Sequence, residues 1–414
     1  MLDFNPSQTQ LMIQGFLRQF GLQTMRPASI EADKKEHDKP WEVIRQVNAL
    51  LSSGMGSGLM RHRPADDADK KDEGGTGFGG GGSSKGISGV LFGEELGYGA
   101  ASLVLSFPGP GLAGAAIAAA GTKEQREKWL KRFGDGEVRF GAMAVTEPGC
   151  GSDVGAIKTT AVREGSNWVL NGTKVFCTNG ASADITVVWA TIDPSKGKEG
   201  IRSFVIEKGT PGFKVGHLEK KLGIRSSETA ELILEDCRIP LENMIGDEND
   251  LKTKGFKGVM ATFDATRPGV AAMAVGIARA SLEYLEERLR EEGWEGPAYG
   301  RSRANLSAVD DAFLEMESQI EAARLLARRA AFMLDRKEPN ALEASMAKAK
   351  AGRVVVDVCA KAVELLGPEG LTRKHPVEMW LRDSKVYDIF EGTGQINRLV
   401  IARRILGYTS KELP

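Results

Sequence analysis

The chain has 414 residues, of which 41% are hydrophobic and 27% charged, with a formal net charge of −1. That supplies a sizeable core and length for two or three domains, and no basic excess for nucleic acid or an anionic membrane. Four cysteines (Cys150, Cys177, Cys237, Cys359) and four histidines (His37, His62, His217, His375) form no CxxC pair and no metal-ligand spacing. Neither a metal site nor a disulfide framework is therefore expected. The first twenty residues lack the basic and apolar regions of a signal peptide, and no apolar run approaches the roughly 18 residues of a membrane span, so a cytoplasmic protein is expected.

Residues 5–60 carry helical spacing, with Ser7 a cap before Leu11, Ile13 and Phe16. Residues 62–86 are polar and glycine-rich and predict a loop or disordered insertion. Gly75, Gly77 and Gly80 there match G-x-G-x-x-G, but Asp-Ala-Asp-Lys-Lys-Asp-Glu precedes them, and no buried strand would tolerate that run. From 87 to 135 the helical pattern returns. The small-residue run Gly111–Gly121 predicts a helix that packs closely, against another helix or along a ligand cavity.

From 138 the period changes. VRFGAMAVTE, WVLNGTKVF, ITVVWATI, SFVIEK and AELILEDCRIP are rich in β-formers, and Asn171-Gly172 predicts a type I′ hairpin. After 252 long helices are expected. Val309, Phe313, Met316, Ile320 and Ala323 recur at helical spacing, as do Met346, Ala349, Ala362, Val363 and Leu366 in their own segments. The layout is α, then β, then α, with domains at 1–137, 138–250 and 251–414.

Three stretches carry candidate chemistry. Ala144-Val-Thr-Glu-Pro-Gly-Cys-Gly-Ser-Asp153 leaves a strand through glycines, either a simple β-turn or backbone N–H groups and hydroxyls turned toward a ligand. Lys174-Val-Phe-Cys-Thr-Asn-Gly180 sets an aromatic, a hydroxyl and an amide in an order that suits a planar ring. In Val386-Tyr-Asp-Ile-Phe-Glu-Gly-Thr-Gly-Gln-Ile-Asn-Arg398, Glu391 lies between an apolar flank (Ile389, Phe390) and a turn, with Thr393 as cap of a new helix. Glu391 is either a surface glutamate or a general base raised by desolvation.

The ordered set TEPGCGSD, KVFCTNG, FDATRP and FEGTGQINRLVIAR resembles the acyl-CoA dehydrogenase family, over nearly the whole chain. The resemblance implies an α+β fold with an N-terminal helical domain, a central antiparallel β domain and a C-terminal four-helix bundle. It implies FAD as cofactor. Met143, Val145, Thr146, Gly151 and Ser152 match flavin-contacting positions, Ser152 also lying near the acyl-CoA. Phe176, Cys177 and Thr178 match the segment that packs on the isoalloxazine. Gly392, Thr393 and Gln395 match a stretch at the cofactor's nucleotide end, and Asp264 and Arg267 match positions that hold the CoA moiety.

In this family the base lies either in the last motif, as Glu391 does, or just before the arginine of the RP pair, here Thr266, which cannot be a base. Glu391 is thus expected to take the α-proton while the β-hydride passes to the flavin and electrons leave to an electron-transferring flavoprotein. A homo-oligomer, dimer or tetramer, is expected. Some family contacts to a neighbouring subunit's cofactor are altered: Gly296 replaces an arginine, Ser307 falls near a glutamine's place, and Glu364 replaces a neutral amide. Arg288 or Arg290 would then replace the lost charge, or a different subunit would supply it in a hetero-oligomer. A flavin-poor, non-catalytic subunit and an acyl-CoA oxidase are the alternatives, the oxidases of this type being usually much longer.

Overall fold

The computed structural model describes residues 6–52, 85–246, 255–409 and 412. Ser7 opens helix α1 (Gln8–Phe20) as expected: its hydroxyl accepts from the Gln10 N–H, and the Gln10 side-chain oxygen accepts from the Ser7 N–H. A π turn leads into α2 (Arg26–Lys34), followed by α3 (Trp41–Ser52). Ile13, Leu17, Val43 and Val47 pack on Leu91, Leu96 and Leu103 of α4 (Lys85–Val104). The insertion at 62–86, with Gly75, Gly77 and Gly80, lies outside the described residues except at its end. There Lys85 and Gly86 begin α4 instead of belonging to a loop, because the Asp335 carboxylate accepts from the Gly86 and Ile87 N–H groups at 2.6 and 3.0 Å.

After α5 (Gly111–Ala120) and α6 (Lys123–Leu130) come seven strands: β1 (Gly141–Ala144), β2 (Thr160–Glu164), β3 (Asn167–Thr178), β4 (Ile185–Thr191), β5 (Ile201–Glu207), β6 (Phe213–Leu218) and β7 (Thr229–Pro240). The sheet order is β1-β4-β2-β3-β7-β6, with β5 also on β4. The long pairings are antiparallel, while β1 runs parallel to β4, and β2 meets β4 in parallel at one residue pair. One face buries Trp168, Leu170, Phe204 and Leu232. On the other, Val187, Trp189 and Val205 pack against Ala113, Ile117 and Trp129 of α5 and α6.

Asn171-Gly172 is not the hairpin turn. It lies inside β3, and the β2–β3 turn is Gly165-Ser166, closed by Glu164 facing Asn167. The pairing of β3 with β7 slips between Leu170 and Gly172, and Gly172 has φ 151°. A side chain there would run into Thr159, and Asn171 accepts from the Asp236 N–H at 2.8 Å. The dipeptide therefore serves a β-bulge.

α7 (Gly255–Glu291), α8 (Ala308–Asp335) and α9 (Ala341–Leu365) form the long helices, followed by α10 (Val377–Ser384) and α11 (Gly394–Leu406). Phe313, Met316, Ile320 and Ala323 are buried as expected, with Val309 packed at the edge of the cluster. Met346 is only half-buried, since the core stripe of α9 runs through Ala344, Ala347, Ala351 and Val355. α4 joins these helices: a side chain at Gly97 would meet the Met273 carbonyl, and one at Gly276 the Glu94 carbonyl. Arg279 spans Glu94 (2.5 Å) and Glu95 (2.7 Å) across that crossing. α5 packs against α7 and against β1, so its small residues serve close packing on a helix and a strand.

Candidate active site

The first two motifs meet at the end of the sheet. The Val175 N–H donates to the Thr146 carbonyl at 2.9 Å, joining the exit of β1 to β3. Beneath them Lys174, fully buried, donates to Glu147 Oε1 (2.7 Å) and the Val145 carbonyl (3.0 Å). Glu147 also accepts from the N–H groups of Lys158 (2.7 Å) and Thr159 (2.9 Å). Burial alone would raise the Glu147 carboxyl, but the Lys174 ammonium holds it below the usual range. This ion pair anchors the loop whose Gly151 and Ser152 are exposed.

Phe176 sits in a second bulge, where the β3–β7 register slips between Lys174 and Cys177. Its φ is 59°, rare for an aromatic residue, and its side chain is left 64% exposed. Met143, Thr146 and Thr178 are half-buried around this end of the sheet. A solvent-facing ring in a strained bulge, beside hydroxyls and glycine N–H groups, fits a planar, polar cofactor. At two expected contact positions the side chain is enclosed in the core. The Cys177 thiol is 1% exposed in the sheet core, and burial pushes it up to about 12. The Val145 side chain is likewise in the core. These two positions therefore present backbone atoms, not side chains, at the surface.

Glu391 is positioned by α7 and by the segment from α10 to α11. Thr266 Oγ1 donates to Glu391 Oε2 at 2.7 Å. Glu391 (φ 51°) and Gly392 (φ 94°) are both left-handed, and Thr393 caps α11 by accepting from the Ile396 N–H, as expected. Among the described residues the Glu391 N–H has no acceptor and Oε1 has no donor. Burial raises the carboxyl above its ordinary range, against the Thr266 hydrogen bond and the charges of Lys348 and Arg267, which lower it. Gln395 is exposed at the first turn of α11.

Arg267, expected at a CoA-holding position, is turned inward. It is 1% exposed; Nη1 binds Asp264 Oδ1 (2.8 Å) and approaches Ser345 Oγ (3.4 Å), and Nε points to the Glu391 carbonyl (3.4 Å). A guanidinium with its fork turned inward supports the Glu391 turn from behind. Asp264 remains partly open. Pro268 contributes too: lacking an N–H, it frees the Asp264 carbonyl inside α7, which accepts from Asn340 Nδ2 at 3.4 Å. Sequence reasoning overlooked Lys348, whose Nζ donates to the Gly392 carbonyl at 2.6 Å. Its signal was a charge in phase with the small-residue stripe of α9.

The two halves adjoin. Phe263, one residue before Asp264, packs in the same cluster as Met143, Val145 and Val154. Asp383 of α10 accepts from the Ile224 N–H at 2.5 Å, tying the loop between β6 and β7 to the Glu391 segment. Among the described residues no group of three or more His, Cys, Asp or Glu could hold a metal, and no helix is long and apolar enough to cross a membrane.

In the altered stretch, the Arg290 guanidinium occupies the space that a side chain at Gly296 would fill. It binds Glu286 Oε1 (2.8 Å) and the Glu295 carbonyl (3.0 Å). Ser307 is committed to capping α8. Glu364 is exposed and paired with Lys361 at 2.6 Å.

The models for the N-terminal, middle and C-terminal domains of acyl-CoA dehydrogenase match residues 75–137, 142–237 and 253–406. The chain is 37% identical to the short-chain specific acyl-CoA dehydrogenase of Clostridium acetobutylicum, over 98% of this chain and 100% of that one. It is 36% identical to the acryloyl-CoA reductase (NADH) of Anaerotignum propionicum, over 98% and 96%. Butyryl-CoA dehydrogenase from Megasphaera elsdenii superposes with a TM-score of 0.82 at 34% identity, covering 98% of this chain and 100% of that chain. A chain from the structure titled "Electron transferring flavoprotein of Acidaminococcus fermentans: Towards a mechanism of flavin-based electron bifurcation" gives 0.83 at 35%, with the same coverage.

Proposed function

The chain belongs to the acyl-CoA dehydrogenase family of FAD-dependent oxidoreductases, and from that premise we propose that Glu391 is the base that removes the α-proton of an acyl-CoA thioester. The observation that carries the assignment is that, among the described residues, Glu391 Oε1 and the Glu391 N–H have no partner, in a turn held from behind by Arg267 and Lys348. An α-proton of a thioester leaves only if the charge that develops on the carbonyl oxygen is stabilised by placed donors. The left-handed Glu391 turn offers its own N–H for that purpose, next to the base itself. Burial brings the carboxyl closer to neutral pH, where a general base is most effective. FAD, when bound, accepts the hydride from the β-carbon.

Thr146, Ser152, Phe176 and Thr178 are the residues that would hold the isoalloxazine, with the Glu147–Lys174 ion pair keeping their two segments together. Gly392, Thr393 and Gln395 would meet the nucleotide end, and Ser152 and Asp264 the acyl-CoA. Relatives named short-chain specific and butyryl-CoA dehydrogenase make a short acyl group the first substrate to test. One relative is named as a reductase, so both directions are assayed. The electrons pass to an electron-transferring flavoprotein. The test is Glu391→Gln: FAD and acyl-CoA binding persist while turnover falls by about 10²–10⁴-fold. Near-normal turnover in that variant sinks the assignment. Peroxide formed at the full rate with acyl-CoA alone would favour an oxidase.

A further inference from the structure

One face of α9 is devoted to the Glu391 turn. Ser345, Lys348 and Gly352 follow at i, i+3 and i+7, so they share a stripe. Ser345 lies 3.4 Å from Arg267 Nη1, Lys348 reaches the Gly392 carbonyl, and at Gly352 a Cβ would stand 2.7 Å from the Tyr387 carbonyl. The missing side chain at 352 lets the segment Lys385–Asp388 settle against α9 directly before the turn. Lys348 is 1% exposed, and an ammonium is not placed in a dry interior without compensation. Two donors converge on the carbonyl it meets: Lys348 Nζ at 2.6 Å and Asn397 Nδ2 at 2.8 Å. The charged and titratable groups around it are Asp388 and Glu391 on the turn segment and Arg267 on α7, with Tyr387 adjoining Glu391. Among the described residues Asp388 Oδ1 is buried without a hydrogen-bond partner, and Lys348 faces two carboxylates while donating to the Gly392 carbonyl.

We infer that Lys348 is a positioning residue for the reaction: its ammonium fixes the left-handed Glu391–Gly392 turn through the Gly392 carbonyl and supplies the positive charge that the Glu391 carboxylate faces in its recess. The inference rests on Glu391 being the base. Its physical content is that position and charge come from one side chain. Arg267 holds the first carbonyl of the turn only at 3.4 Å, whereas Lys348 holds the second at 2.6 Å. When the Glu391 carboxylate takes up a proton it loses its charge, and Lys348 then loses part of its electrostatic partner. The proton affinity of Glu391 is therefore set in part by Lys348, whose own amine burial lowers to about 8.

The experiment compares Lys348→Gln and Lys348→Arg as FAD-loaded enzymes, reading the pH profile of kcat/KM, the melting temperature and retained flavin. Loss of the positive charge raises the pKa of Glu391, so the acidic limb of K348Q moves to higher pH by about half a unit or more, and kcat falls about tenfold. K348R keeps a cation: its limb stays with the wild type and its kcat remains within about threefold. Lys348→Met carries the same test if K348Q fails to fold. An acidic limb that stays in place in K348Q or K348M overturns the inference, whatever happens to the melting temperature. So does a K348R limb displaced as far as that of K348Q. Failure of the underlying reading is distinguishable: it appears as an active Glu391→Gln, whereas an inactive Glu391→Gln with an unmoved K348Q limb sinks the role of Lys348 alone.

Discussion

Thr266 Oγ1 donates to Glu391 Oε2 at 2.7 Å across 125 residues of chain. The same hydroxyl also reaches the Thr262 carbonyl one turn earlier in α7, at 3.2 Å, so helix and carboxylate share one alcohol. The hydrogen bond engages Oε2 alone and restrains the rotation of the carboxylate about its own bond. A side chain that does not titrate thereby orients the Glu391 carboxylate.

Thr266→Val removes this donor while keeping the shape. The bond stabilises the ionised carboxylate, so its loss moves the acidic limb of kcat/KM upward. A hydrogen bond to a charged group contributes about 1.5–3 kcal/mol, and kcat/KM near neutrality is expected to fall by roughly ten-fold or more. A valine variant with the wild-type profile would show that the contact has no bearing on the base.

The raised Glu391 carboxyl also predicts a stability effect. Its pKa in the folded protein lies above the unfolded value of about 4.3, so folding takes up protons there. The contribution is complete below the unfolded value and is lost as pH rises through the folded one. Above that range the ionised Glu391 burdens the fold, so Glu391→Gln is expected to melt higher than wild type near pH 8, by roughly 1–3 °C. The two should converge near pH 4. Equal melting temperatures at both pH values would contradict a burial-raised carboxyl.

Arg267 lies within the packed interior, so its removal costs stability as well as activity. Arg267→Ala leaves Asp264 and the Glu391 carbonyl without their donor, and breaking a buried pair costs about 3–5 kcal/mol. The low end applies because the Asp264 side chain is 26% exposed. Arg267→Lys should not rescue turnover, since a point charge cannot reach Asp264 and the carbonyl as the planar fork does. A stable alanine variant whose only defect is a raised KM would return Arg267 to direct CoA binding.

Arg290 tests the altered stretch. Its guanidinium fills the space left by Gly296 and is 48% exposed, so it is available to an anionic partner. We expect the chain expressed alone to retain FAD, and Arg290→Ala to lose more of it on gel filtration, read as the flavin to protein absorbance ratio. Colourless protein that turns yellow only with a co-expressed relative would instead place the missing charge on another subunit.

The residues themselves announced the caps at Ser7 and Thr393, the change from helical to strand period near 138 and the buried stripe of α8. They announced the motifs around Thr146, Phe176 and Glu391 as well. Such features depend on neighbours a few positions apart, which a linear reading can weigh. Asn171-Gly172 misled that reading because a turn signal and a bulge demand the same backbone freedom, and only the register against β7 and the nearness of Thr159 separate them.

The linear pattern of residues was therefore enough for the helix or strand character of most segments and for the base candidate. Packing in three dimensions set its surroundings: that Arg267 turns inward, that Thr266 orients the carboxylate, and that Lys348 reaches Gly392 across 44 residues. It also decided that Cys177 points into the core while Phe176 points out. The reason is physical. Burial, the sum of nearby charges and a left-handed φ at Glu391 are set by elements meeting in space, and one-dimensional periodicity carries no record of which helix face meets which turn.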